Sequence, residues 1–196
     1  LRHADTAMYH AKGAGRDGAR IFERHMDEAA ISRLQFENEL RTGLNEDQFE
    51  LHFQPVLQIR DGSILGAEVL LRWRHPRLGL IAPSDFLPYI ENSALMLKLD
   101  HRVLAQACAL LGEIERNTEL VAPDYLSINI SHQQFHQPDF VERIKAVVAE
   151  NHISASRLQF EITETILIKD TRDSVERMNA LKQLGVRFAI DDFGTG

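Results

Sequence analysis

From Phe49 onward the chain switches repeatedly between two periods. Phe49, Leu51 and Phe53 alternate with Glu50, His52 and Gln54, the two-residue period of a half-buried strand. Asp61-Gly62 turns the chain into Gly66 to Trp73, so the pair reads as an antiparallel hairpin. After a loop to Pro83, Ser84 is expected to cap a helix carrying Phe86, Leu87 and Ile90, and a longer helix runs from about Leu97 to Ile114. Leu126, Ile128 and Ile130 alternate with Ser127, Asn129 and Ser131 as a strand; Phe140 to Ala149 is helical; Leu158, Phe160 and Ile162 alternate with Gln159, Glu161 and Thr163 as another strand. Residues 171–184 give a helix, with Val175, Met178, Leu181 and Leu184 apolar and Gly185 at its end, before a strand from Val186 to Asp191. Upstream, residues 4–13 read as a helix, Ala19 to Phe22 as a short strand, and Met26 to Leu44 as a connecting helix ending near Gly43.

A rhythm of strand, helix, strand, helix implies an α/β fold with a parallel sheet, as a barrel or as an open doubly wound sheet. No glycine-rich phosphate fingerprint follows any of the strands, which favours the barrel. One helix and one short strand before Met26 cannot bury a core, so that piece belongs with a domain lying upstream.

Composition narrows the class further. With 44% apolar and 26% charged residues the chain is globular, and no apolar run approaches the ~20 residues of a membrane span, so no membrane contact is expected from this segment. The net charge of -7 argues against a nucleic-acid partner. The one cysteine, Cys108, lies in an apolar helical pattern, which fits a core position and a reducing, cytoplasmic setting. The chain starts without Met and stops at Phe193-Gly194-Thr195-Gly196, so both ends read as cuts in a longer sequence.

Chemistry enters through Glu68, a lone acid in the apolar stretch Gly66 to Trp73. Alternation puts it on one face with Gly66, Leu70 and Arg72. Glu68 and Arg72 stand roughly 13 Å apart at ~3.3 Å per residue, too far to pair, so a metal for the acid and a phosphate for the guanidinium is one economical solution. A solvated edge strand is the other. Gln54, Glu68, Asn129, Glu161 and Asp191 each place one polar residue opposite the large apolar side chains of their strand. Polar residues near successive strand ends are what a barrel with a site at that rim requires. Glu68, Asn129, Glu161 and Asp191 together make an oxygen-only cluster, which suits Mg²⁺ or Mn²⁺ better than zinc; solvated acids paired with lysines would give the same pattern. Asp192 reaches the site only if the strand ends there, in which case adjacent aspartates serve two ions ~4 Å apart, the clamp used for displacement at phosphorus. Glu164, three residues after Glu161, is expected to organise a neighbouring loop. His132 and His136 have zinc-binding spacing, but Gln133 stands where the zinc protease motif has glutamate, so a surface helix is the better reading.

Two resemblances follow from these residues. Ala4-Asp5-Thr6-Ala7-Met8-Tyr9-His10-Ala11-Lys12, followed by Gly15-Arg16, resembles the closing segment of GGDEF (diguanylate cyclase) domains. From about Phe36 to Gly196 the chain resembles an EAL domain, the cyclic di-GMP phosphodiesterase family, in five ordered pieces: Phe53-Gln54-Pro55, Glu68-Val69-Leu70-Leu71-Arg72-Trp73, Ile128-Asn129-Ile130-Ser131, Glu161-Ile162-Thr163-Glu164 and Asp191-Asp192-Phe193-Gly194-Thr195-Gly196. The resemblance implies a TIM-like (β/α)8 barrel with an antiparallel first strand, and hydrolysis of cyclic di-GMP to the linear dinucleotide with two Mg²⁺ or Mn²⁺ ions. It implies Glu68, Asn129, Glu161 and Asp191 as metal ligands, Asp192 at the second metal, Gln54 and Arg72 as substrate-binding, and Glu164 as the residue steadying the loop after Asp192. Val69 replaces the alanine of the name motif on the face away from the site, and Ile90 and Ala94 depart from the family's pattern.

The expected organisation is the edge of a GGDEF domain at 1–22, a linker helix at 23–45, and an EAL domain at 46–196 that is incomplete in this chain. About 160 residues are present where such a barrel takes ~250, and the family's catalytic lysine, later glutamate ligand and late glutamine fall beyond Gly196. The 196 residues alone are therefore expected to be inactive, with the edge strand Val186 to Asp191 inviting a homodimer. The rival reading is a non-catalytic cyclic di-GMP receptor; a metal-dependent lyase or aldolase barrel has nothing in the sequence to call for it.

Overall fold

A computed structural model describes residues 24–91, 93–117, 119–120, 122–163, 166 and 171–191. The helix expected at 4–13 and the strand Ala19 to Phe22 lie outside these residues, as do Glu164 and Asp192. In chain order the elements are α1 (Arg24–Asn45), β1 (Phe49–Leu57), β2 (Ile64–His75), β3 (Gly79–Ile81), α2 (Pro83–Ile90), α3 (Ala94–Arg116), β4 (Tyr125–Asn129), α4 (His132–Phe135), α5 (Phe140–Glu150), β5 (Leu158–Thr163), α6 (Thr171–Leu184) and β6 (Arg187–Asp191).

The expected α/β architecture is present. The strands run in the order β1-β2-β4-β5-β6, with β3 attached to β2. β2, β4, β5 and β6 are parallel, whereas β1 lies antiparallel on β2 with Gln54 opposite Glu68. The hairpin turn forms at Asp61, whose carboxylate accepts from the backbone N–H and hydroxyl of Ser63 at 3.0 and 2.6 Å, while Gly62 takes φ +72°, as Asx turns do.

Alternation along each strand separates two faces. The outer one carries Val69, Leu126, Ile128, Phe160 and Ile162, all buried against Leu104, Cys108 and Leu111 of α3, Ile144 of α5 and Leu181 of α6. Burial pushes the Cys108 thiol up to about 12, consistent with an inert core cysteine. A second cluster joins Leu40 of α1 to Phe49, Trp73, Phe86, Ile90 and Leu99. Trp73 is fully buried and donates its indole N–H to Gln48 Oε1 at 3.1 Å.

Helix α1 ends at Asn45, near Gly43 as expected; a Cβ on Gly43 would come within 2.7 Å of Trp73 Nε1, so the glycine permits close approach. Three local expectations change. Ser84 is not the cap of α2, because Pro83 occupies the first turn and Ala82 precedes it as N-cap, the position where proline's missing N–H costs nothing. Helix α3 starts at Ala94, three residues earlier than expected, with Ser93 Oγ accepting from Leu95 N at 3.2 Å. The loop before Pro83 contains β3, paired antiparallel with the end of β2. No helix among the described residues is long and apolar enough to cross a membrane.

Candidate active site at the strand ends

The inner face of the sheet is polar and opens toward the ends of the parallel strands. At its floor Gly66 stands in register with Tyr125, and a Cβ on Gly66 would lie 2.5 Å from the tyrosine ring. Arg187 of β6 places its guanidinium 5.4 Å from the centre of that ring, a cation–π contact that closes the base. Along β4 the inner positions run from buried Tyr125 and Ser127 to exposed Asn129, so side chains become accessible toward the strand end.

Four of the residues expected to act together are neighbours on this face. Asn129 is the register partner of Glu161, and its side-chain amide donates to Glu68 Oε1 at 3.1 Å. Glu161 accepts from Ser127 Oγ at 2.6 Å. Asp191 lies two residues beyond Ala189, the register partner of Glu161, and so shares its face. Burial pushes the Glu161 carboxyl above its usual range, Ser127 opposes that shift, and the negative charges of Glu68 and Asp191 add to it. Three acids are thus close enough to feel one another. Asp192 and Glu164 lie outside the described residues.

Among the described residues no three His, Cys, Asp or Glu side chains are gathered tightly enough to hold an ion as they stand. As a donor set they fit a hard divalent cation. Three carboxylates and one amide offer only oxygen once the Asn129 amide is turned to present Oδ1, and a cation would offset the charges of Glu68 and Asp191 that add to the burial shift of Glu161. His132 and His136 do not make a second centre. Their rings stack with centroids 4.2 Å apart at the short helix α4, His136 Nδ1 lies 2.9 Å from His132 O, and no third ligand joins them among the described residues.

Gln54 and Arg72 lie on the same face as Glu68. Gln54 is exposed directly opposite Glu68, and Arg72 stands further along β2, in register with Glu50. Glu50 is already engaged: Arg74 grips both its oxygens at 2.9 and 2.7 Å, and His52 Nε2 lies 2.9 Å from Oε1. The hydrogen bonds from His52 and Arg74 hold the Glu50 carboxyl below its usual range. Arg72 Nη1 instead donates to the Leu71 carbonyl at 2.8 Å, and no carboxylate pairs with it among the described residues. A half-buried guanidinium bonded, among the described residues, only to a backbone carbonyl is available to a phosphate.

Two inner-face residues escaped the sequence reading. Ser127 and Gln159 share the parity of Asn129 and Glu161, and Gln159 Nε2 donates to Ser127 Oγ at 3.1 Å. Alternation marks them as inward-facing, but which side chains they meet depends on the pairing of β4 with β5.

Comparison with known proteins bears on what this rim does. A family model described as EAL domain matches residues 37–196. Among curated proteins, the chain is 36% identical over 200 residues to the bifunctional diguanylate cyclase/cyclic di-GMP phosphodiesterase MucR of Pseudomonas aeruginosa, covering 99% of this chain and 28% of that protein. It is 34% identical over 198 residues to the cyclic di-GMP phosphodiesterase NbdA of the same organism, covering 100% of this chain and 25% of that protein. The chain thus spans about a quarter of the curated relatives it matches. The solved structure of the PaMucR phosphodiesterase in complex with c-di-GMP is similar with a TM-score of 0.77 and 33% identity, over 83% of this chain and 65% of that one.

Proposed function

The chain belongs to the EAL domain family, and from that premise we propose that the intact protein hydrolyses one phosphodiester of cyclic di-GMP to the linear dinucleotide in a metal-dependent reaction. The observation that carries this reading is the meeting of Glu68, Asn129, Glu161 and Asp191 at one rim of the sheet, with Arg72 further along β2 on the same face and without a carboxylate partner among the described residues. Relatives named for this activity match the chain along its whole length.

In the proposed mechanism Glu68, Asn129, Glu161 and Asp191 would hold Mg²⁺ or Mn²⁺, with Asp192 serving a second ion. When bound, the ions supply charge neutralisation at phosphorus and a lowered pKa for water. Arg72 binds a non-bridging phosphate oxygen through its guanidinium and orients the phosphodiester above the acids. Gln54, exposed opposite Glu68, offers an amide that can donate to phosphate or accept from a base edge. Glu164 is assigned to steadying the loop after Asp192.

The domain division belongs to the same proposal: residues 1–22 as the closing edge of a GGDEF domain, 23–45 as a linker helix and 46–196 as the EAL domain. The match to a relative named as both cyclase and phosphodiesterase supports the first assignment. The family match reaches back to residue 37, and Phe36 meets Trp73 edge-on at 5.3 Å while Leu40 is buried in the same cluster. The end of that helix thus shares a core cluster with Phe49 of β1 and Trp73 of β2.

The test is incubation of the intact protein with cyclic di-GMP and Mn²⁺, resolving products by chromatography. Linear dinucleotide that appears with Mn²⁺ and stops with chelator is the expected result. Tight binding without product would make the protein a receptor instead.

A further inference from the structure

We infer that Ser127 is a positioning residue that fixes the Glu161 carboxylate for metal binding, an inference that rests on the proposed reading of the strand-end acids as a metal site. Ser127 is only 1% exposed on the inner face of β4, in register with Gln159 of β5. A serine hydroxyl has one proton to give and lone pairs to accept with. Gln159 presents its NH₂ group to Ser127 Oγ at 3.1 Å, and an amide NH₂ can only donate. The hydroxyl is therefore the acceptor in that contact, and its own proton is left for Glu161 Oε1 at 2.6 Å. That separation is the short one typical of a hydroxyl donating to a charged oxygen.

Gln159 and Glu161 are two residues apart on the same face of β5, so Ser127 bridges them from the neighbouring strand. The direction of hydrogen bonding is fixed along the whole chain of three side chains. One oxygen of Glu161 is pinned, and the carboxylate plane with it, while Oε2 remains for an occupant of the strand end. Partners of this kind behind metal ligands set ligand orientation, and removing them commonly weakens metal affinity about 10- to 100-fold. A serine kept only to fill space would show no such effect, since alanine occupies nearly the same volume.

The experiment measures Mn²⁺ affinity by calorimetry on the intact protein and four variants, with thermal midpoints taken in chelator. Ser127→Ala is expected to bind Mn²⁺ at least about 10-fold more weakly with an unchanged metal-free midpoint. Gln159→Leu, which removes the lock but keeps the hydroxyl, is expected to lose less, and the double variant to be no worse than Ser127→Ala alone, the non-additivity of groups acting in one chain. Glu161→Gln separates the two levels of the argument. If it binds Mn²⁺ as the wild type does, the metal reading fails and the inference with it. If Glu161→Gln loses affinity while Ser127→Ala stays within twofold of wild type, the positioning role alone is overturned. Should Ser127→Ala not fold, unchanged affinity in Gln159→Leu overturns it equally.

Discussion

Asn129 on β4 donates its side-chain amide to Glu68 on β2 at 3.1 Å, joining residues 61 apart in sequence at the rim where parallel strands end. Neither residue has an obvious purpose in its own strand. Together with Glu161 and Asp191 they form a group in which the Glu161 carboxyl is pushed above its usual range, first by burial and further by the negative charges of Glu68 and Asp191, a charge arrangement that a bound cation would offset.

Replacing Glu68 by glutamine should lower Mn²⁺- or Mg²⁺-dependent hydrolysis of cyclic di-GMP by the intact protein by at least about 10²-fold, since removing groups merely behind a ligand already costs 10- to 100-fold in affinity. The fold should survive, because Glu68 is only partly buried and its contact to Asn129 can be kept by an amide. Turnover and circular dichroism measured on the same preparation check both halves; full activity in Glu68→Gln removes the residue from the site.

Arg72→Ala should weaken cyclic di-GMP binding by about 1.5–3 kcal/mol, the loss of a charged hydrogen bond, while leaving Mn²⁺ affinity unchanged. Arg72 stands roughly 13 Å along the strand from Glu68, which is why the two effects separate. Paired calorimetric titrations would show it, and equal nucleotide affinity in variant and wild type would return Arg72 to a packing role.

Asp100 on α3 supplies a pH signature. Its carboxyl is buried and accepts from Ser131 Oγ at 2.5 Å; burial pushes its pKa from 3.8 to about 6, with the Ser131 bond opposing the shift. Because the folded-state value lies above the unfolded one, the native state takes up the proton more readily. The associated stability is fully present below pH ~4 and is lost as pH rises toward ~6. Asp100→Asn should flatten that part of the stability curve and, at pH 8, raise stability by about 1–3 kcal/mol, given 1.36 kcal/mol per pKa unit. Urea unfolding at pH 4, 6 and 8 tests it; a variant that keeps the wild-type slope refutes the assignment.

For Gly43→Ala two effects oppose. Helix propensity alone would stabilise α1 by about 1 kcal/mol. The new methyl, however, would lie 2.7 Å from the Nε1 of a fully buried Trp73 and 3.1 Å from Gln48 Oε1, the indole's acceptor. Overpacking of this kind costs about 1–3 kcal/mol, so net destabilisation on the order of 1 kcal/mol is expected in urea unfolding, with a red-shifted tryptophan emission. A stabilised variant would contradict the packing described.

How far the sequence discloses this molecule depends on how local each signal is. Leu126, Ile128 and Ile130 reveal both a strand and its buried face, because a one-residue slip would turn the whole set to the wrong side; Asn129 and Glu161 could be placed on the opposite face for the same reason. β3 was invisible, since three residues between Gly79 and Ile81 carry no period and exist as a strand only by pairing with β2. Ser84 suggests a cap for α2, but Pro83 is the stronger signal, because proline is favoured in the first turn. The Ser127–Glu161 and Asp100–Ser131 bonds span 34 and 31 residues. They depend on strand register and helix docking, which no short motif encodes.

The central claim, that these strand-end side chains form one metal site, is tested most directly by anomalous scattering from crystals of the intact protein grown with Mn²⁺. A strong anomalous peak is expected at coordinating distance, about 2.1 Å, from oxygens of Glu68, Asn129, Glu161 and Asp191. A Mn²⁺ peak elsewhere, with no anomalous density beside these four side chains, would contradict it.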